Sequence, residues 1–193
     1  VTGVNAPPVA VNDAYATDQD AVLATTGANG VLSNDSDPDN GDIPVVIEVN
    51  SDPANINTDV TTSLGATVNM QANGTFTYDP TTSAMLLALA ENVTLTDMFT
   101  YTIQDGEGVT ASATVSITVN GVNNDPVAVD DAYEVDQDKT LTVPGPENLA
   151  LLVDNDSDVD TDDTLSVVAI NAGATTLGGE VTVDTDGSFV YDP

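Results

Sequence analysis

Apolar and polar residues alternate along this chain in short runs, each closed by a turn signal. Phe99, Tyr101 and Ile103 alternate with Thr100 and Thr102, and Val115, Ile117 and Val119 alternate with Ser116 and Thr118. Val45, Ile47 and Val49 alternate with Val46 and Glu48 in the same way. A period of two with one apolar face marks a half-buried β-strand. Further strands are predicted over residues 9–17, 21–25, 66–71 and 75–78, with a short one around Val60. Asp18-Gln19-Asp20, Asp52-Pro53, Asp79-Pro80 and Asp105-Gly106-Glu107-Gly108 punctuate the runs, and Asn73-Gly74 is a hairpin signal. The helical candidate is residues 83–95, where Ser83 can cap and alanine and leucine dominate; one or two turns are expected.

The pattern is written twice. PVAVNDAYATDQD at residues 8–20 returns as PVAVDDAYEVDQD at 126–138, a shift of 118. SNDSDPDNGD at 33–42 is answered by DNDSDVDTDD at 154–163, a shift of 121, and GTFTYDP at 74–80 by GSFVYDP at 187–193, a shift of 113. Order is kept while loops change length, as expected of a tandem duplication of one domain. The predicted domains are residues 1–122 and 123–193. About seven short strands per unit, with turns between them, argue for an antiparallel immunoglobulin-like sandwich of Greek-key type. The second sandwich is expected to be incomplete, because residues 96–120 have no counterpart before Pro193. Either the chain is a fragment or another chain supplies the strands. Pro126 restricts the short linker before it, so the join is expected to be semi-rigid.

Charge narrows the function. The net charge is −31, with 32 acidic residues against a single Lys139 and no arginine or histidine. Such a surface repels nucleic acid and anionic membranes. Cysteine is absent, which removes disulfides, thiolate chemistry and, with histidine also absent, zinc. No apolar run approaches the ~20 residues that cross a bilayer, so membrane insertion is not expected. The thin supply of bases and nucleophiles argues against an enzyme.

The acids are not spread evenly. Asp35, Asp37, Asp39 and Asp42 share one loop with Asn34, Asn40 and Gly41. They repel one another unless a cation sits among them. Calcium takes six to eight oxygens from carboxylates, amides, backbone and water in irregular geometry, whereas magnesium demands a strict octahedron. An EF-hand is excluded. Counted from Asp35, its glycine and terminal glutamate positions carry Asn40 and Val46.

YDP at 78–80, DMFTYTIQDGEG at 97–108 and ATVSITVNGVNNDP at 113–126 resemble the bacterial cadherin-like tandem repeats, including the VCBS type, of very large secreted adhesins. The resemblance covers the first unit and the available part of the second. It implies calcium between successive domains, held by the bottom of one, the linker and the top of the next. Laid onto this chain, it implies a junction of Asp18, Asp20 and Asp79 with Asn123, Asn124 and Asp125, completed by Asp156 and Asp158. At the top of the first unit it implies Asp35, Asp37, Asn40 and Asp105. Asn5-Ala6-Pro7-Pro8 carries no acid, so those upper residues are expected to hold calcium more weakly.

The expected function is a calcium-stiffened extender repeat of an extracellular, cell-surface bacterial adhesin, whose partners are neighbouring repeats. One alternative is a filament subunit completed by strands from a neighbouring chain. Another is a glycan- or protein-binding module. Extracellular calcium modules bind with a Kd of about 10⁻⁴ to 10⁻³ M.

Overall fold

The longest alternating stretches of sequence become the longest strands. The structure is a computed structural model that describes residues 4–39, 41–144, 150–168, 175 and 178–193. The chain divides into two units, Val1–Asn123 and Asn124–Pro193.

Among the described residues the first unit contains β1 (Asp13–Asp18), β2 (Leu23–Ala24), β3 (Val45–Val49), β4 (Asp59–Thr61), β5 (Thr67–Met70), β6 (Phe76–Asp79), α1 (Ala84–Leu87), β7 (Thr94–Gln104) and β8 (Thr110–Asn120). β7 and β8 form a hairpin in unbroken register from Thr94 opposite Asn120 to Gln104 opposite Thr110. β3 joins β7 antiparallel and β1 joins β8 parallel, giving the order β1-β8-β7-β3. The second sheet runs β2-β6-β5-β4. The alternation of Phe99, Tyr101, Ile103, Val115, Ile117 and Val119 aims all six into the core, against Val68, Met70, Phe76 and Tyr78 of the other sheet. Each such side chain contributes roughly 1.5–3 kcal/mol on burial. Phe76 links the two layers, edge-on to Tyr15 at 5.1 Å and to Phe99 at 5.6 Å.

Two local expectations change on folding, and a third, the short helix capped by Ser83, is met. The incoming segment, residues 9–17, pairs with β8 only from Asp13 onward; Val9 instead makes a single bridge to Ser36. In β3 the register shifts between Val46 and Glu48. That bulge adds a residue and exchanges the faces, so Val46 and Val49 are buried while Val45 is 45% exposed. The helix closes after one turn. Ser83 caps it by accepting from Leu86 N, but residues 94 and 95 go to β7, where β8 supplies partners. Long-range pairing overrides local helix preference there.

Asp97 is buried within this core on β7. Ser63 Oγ, Leu64 N and Met98 N donate to one of its oxygens at 2.7, 2.8 and 2.8 Å. Thr62 Oγ1 and the Tyr78 hydroxyl donate to the other, the latter at 2.9 Å. One carboxylate thus ties β7 to the 62–64 turn and to β6 of the opposite sheet, and its acceptor sites are filled as a buried charge requires.

In the second unit β9 (Leu141–Val143), β10 (Glu180–Val183) and β11 (Phe189–Asp192) form a sheet ordered β10-β11-β9. By the repeat alignment β9, β10 and β11 correspond to β2, β5 and β6 respectively. Residues 131–136, aligned with β1, carry no strand. In the first unit β1 pairs with β8, and residues 123–193 contain no counterpart of that strand. A strand without a partner leaves its backbone groups to water.

Candidate metal centre

The acidic loop of the first unit is shaped by backbone contacts before any carboxylate is placed. Val9 N donates to Ser36 O at 2.8 Å and Ser36 N to Val9 O at 3.1 Å, which pins the loop to the incoming chain. Asp37 then accepts from Asp39 N at 2.7 Å, a turn that short Asp side chains make readily. Asp42 N donates to Asp39 O at 3.2 Å, and Gly41 supplies the left-handed backbone this turn needs at φ 103°. The outcome is a cup in which carboxylate oxygens of Asp37, Asp39 and Asp42 all lie within 4.8 Å of one another. Asp39 Oδ2 accepts from Ala6 N at 2.7 Å. The β7–β8 turn presses on the cup. Glu107 is pushed above the usual glutamate range by its hydrogen bond to Asp42, and then by the charges of Asp42, Asp105 and Asp39.

The second unit builds the same cup from its own copies. Val127 N and Ser157 N exchange bonds with Ser157 O and Val127 O at 2.7 and 3.0 Å. Asp158 accepts from Asp160 N at 2.9 Å, and Asp163 N donates to Asp160 O at 3.2 Å. Asn124 N donates to Asp160 Oδ2 at 2.6 Å, in the place of Ala6 and Asp39. Asp158, Asp160 and Asp163 again offer oxygens within 4.8 Å.

One observation separates these cups from ordinary acidic surface. Asp160 is 3% exposed, and its Oδ1 is buried without a hydrogen-bond partner. Asp37 Oδ2 is in the same condition in the first unit. Buried carboxylate oxygens normally find donors. Two carboxylates at 4.8 Å repel by on the order of 3 kcal/mol at an effective dielectric of about 20. The chain's single basic residue, Lys139, is paired with Asp136 at 3.3 Å. A crowded, all-oxygen, partly buried set of acids fits a hard cation such as calcium.

The residues singled out from sequence fall into different places. Asp37 and Asp158 are in the cups. Asp35 is turned away: one of its oxygens accepts from Val11 N at 2.7 Å, and the Tyr101 hydroxyl lies 3.0 Å from the other. Asp156 likewise accepts from Val129 N at 2.8 Å. Asp105 accepts from Asn5 Nδ2, Glu107 N and Val109 N at 2.9, 3.0 and 2.7 Å; the Asn5 bond first, then the backbone bonds, hold it below the usual aspartate range. Asp18 accepts from Asn120 Nδ2 at 3.1 Å, and Asp20 stands in the turn that follows β1. Asp79 accepts from Thr81 N and Oγ1 at 3.0 and 2.6 Å, closing the turn after β6. Asn123 ends the first unit; Asn124 and Asp125 begin the second. Asn40 lies outside the described residues. Asp39, Asp42, Asp160 and Asp163 were counted in the acidic loops but left out of the ligand set. Their signal is the spacing i, i+2, i+5, present in both loops at a shift of 121.

Residues 5–121 match the family model for the bacterial cadherin-like domain. The chain belongs to that family. Residues 123–193 of this bacterial cadherin-like chain match a second model, the bacterial Ig domain. The tandem, all-β immunoglobulin-like reading of the sequence is therefore borne out. Domains of both kinds are typically structural modules of extracellular surface proteins rather than catalysts, and cadherin-like domains generally bind calcium. No curated protein matches the chain. No helix among the described residues is long and apolar enough to cross a membrane.

Proposed function

We propose that the chain is a pair of calcium-stiffened extender repeats from a bacterial adhesin or surface protein. The observation that carries this reading is the twice-built cup with a buried, unpartnered carboxylate oxygen in each copy, Asp37 Oδ2 and Asp160 Oδ1. Asp37, Asp39 and Asp42 hold one ion, and Asp158, Asp160 and Asp163 hold another. Calcium supplies the charge that the chain lacks. The protein's part is to convert occupancy into stiffness. Asp39 and Asp160 each stand in a cup and accept through Oδ2 from a backbone N–H of the incoming segment, Ala6 or Asn124. An ion that fixes the carboxylate also fixes that segment. Within the first unit, Gln19 Nε2 donates to Val122 O at 3.0 Å and ties down the outgoing chain. Without calcium, repulsion in the cups loosens the segments around Ala6 and Asn124, and the linker samples more conformations.

The test is to measure the hydrodynamic radius, melting temperature and protease resistance of the chain in calcium and in chelator. A larger or altered radius, higher melting temperature and slower cleavage near residues 121–126 are expected with calcium. Identical behaviour in both buffers would sink the reading.

A second reading rests on the unpaired segments of the second unit. Val168 is 92% exposed and aligns with half-buried Ile47 of β3, the strand that pairs with β7 in the first unit. A neighbouring copy's hairpin of the β7–β8 kind would cover it and give a filament. Concentration-dependent polymers are then expected, and a monodisperse monomer at high concentration argues against them.

A further inference from the structure

Asp13, at the head of β1, is 8% exposed, and its Oδ2 is buried without a hydrogen-bond partner. It faces Asp35, Asn34 and the hydroxyl of Tyr101. That hydroxyl lies 3.0 Å from Asp35 Oδ2, 3.2 Å from Asp35 Oδ1 and 3.1 Å from Val11 O, and it also bonds Asp13. A phenol has one hydrogen to give. Three acceptor groups, two of them carboxylates, converge on it. Val11 N serves Asp35, and the Asn34 amide, which also bonds Asp13, reaches Val11 O and Asn12 O only at 3.5 and 3.4 Å. The pocket therefore holds more acceptors than donors. Burial, ahead of the charge of Asp35, raises the Asp13 carboxyl to about 6. Burial and the two carboxylates hold the Tyr101 phenol far above its usual range, so it stays protonated.

We propose that Asp13, Asp35 and the Tyr101 hydroxyl form a second divalent-cation site, inside the first unit and separate from the Asp37–Asp39–Asp42 cup. Two carboxylates in a desolvated pocket carry two negative charges, and a divalent ion cancels both; a monovalent ion leaves one uncompensated. Val11 O, 3.1 Å from the same hydroxyl, is the neutral oxygen nearest to hand, and an all-oxygen set suits calcium. Asp35 and Asp37 thus diverge from one loop into two sites. In the second unit the aligned Asp131 is exposed, although desolvation and then the charge of Asp156 still raise it, and Asp156 accepts from Val129 N as Asp35 does from Val11 N. There Tyr133 supplies the hydroxyl in contact with Asp131.

Calcium stoichiometry by equilibrium dialysis on the full chain tests this. Asp13→Asn is expected to bind one ion fewer than the parent while remaining at least as stable in chelator, because the amide keeps the shape and removes a charge. Asp39→Asn is expected to lose a different ion, and the double variant to lose both. If Asp13→Asn binds as many ions as the parent, the proposal is overturned and the pair holds a proton instead. Tyr101→Phe keeps the ring in the core and reports independently of folding changes at β1. With terbium in place of calcium, this variant is expected to lose part of the tyrosine-sensitised emission, and unchanged emission also overturns the proposal.

Discussion

Replacing Asp97 by asparagine tests whether the sandwich stands on its own hydrogen bonds rather than on metal. Asparagine keeps one carbonyl oxygen for Ser63 Oγ, Leu64 N and Met98 N, which now lose their charged acceptor. Its NH₂ group faces Thr62 Oγ1 and the Tyr78 hydroxyl, both of which donate in the parent. Thr62 can redirect its hydrogen to Ala66 O, which already lies 3.1 Å away. Tyr78 is fully buried and is left with an unserved hydroxyl hydrogen. An orphaned buried donor costs about 1–3 kcal/mol, and each bond changed from charged to neutral loses roughly a further 1 kcal/mol. Summed, with allowance for non-additivity, the loss is about 3–5 kcal/mol. For a domain of about 120 residues this lowers the melting temperature by roughly 10–30 °C. The measurement is thermal and urea unfolding followed by tyrosine fluorescence, in calcium and in chelator. The drop is expected to be the same in both. A loss below about 1 kcal/mol, or one that calcium restores, refutes the reasoning.

Asp160→Asn removes a charge from the second cup while leaving an acceptor for Asn124 N; the stabilisation by calcium, about 1.4 kcal/mol per site at ten times Kd, disappears for that unit, as calorimetry in both buffers will show. In chelator, the raised carboxyl of Asp13 makes the first unit pH-dependent. Protonation favours the folded state, so this contribution is fully present below pH 3.8 and is lost as pH rises through about 6, with an upper size of about 3 kcal/mol. Asp13→Asn flattens that part of a stability–pH curve, and an unchanged curve counts against the assignment. Gly121→Ala places a Cβ 2.1 Å from Ala90 O, a backbone atom that cannot swing aside, so a loss of roughly 2 kcal/mol or more is expected in unfolding experiments.

Much of the architecture was legible because strand signals are local. The faces of β7 and β8 follow from alternation at Phe99, Tyr101 and Ile103 and at Val115, Ile117 and Val119, and the duplication is visible in the quoted motifs. The acidic loops were equally visible, and so was the mutual repulsion of their carboxylates. β3 was misread in face because a bulge has no composition of its own; it is set by pairing with β7. The role of Asp97 was invisible, since its five donors come from residues 62–64, 78 and 98, and no spacing along the chain announces that meeting.

The sequence by itself determined that this protein is a duplicated β-sandwich whose carboxylates crowd into two loops with a single basic residue in the whole chain. Spacing and charge are properties of a strand of residues and survive without any fold. Only the tertiary structure decided which oxygens remain to hold an ion. Asp35 and Asp37 look equivalent two residues apart, yet Val11 and Tyr101, distant in the chain, hold Asp35 beside Asp13, while Asp37 faces Asp39 and Asp42. Which neighbours a carboxylate meets is decided by groups far away in the chain, and those arrive through long-range packing.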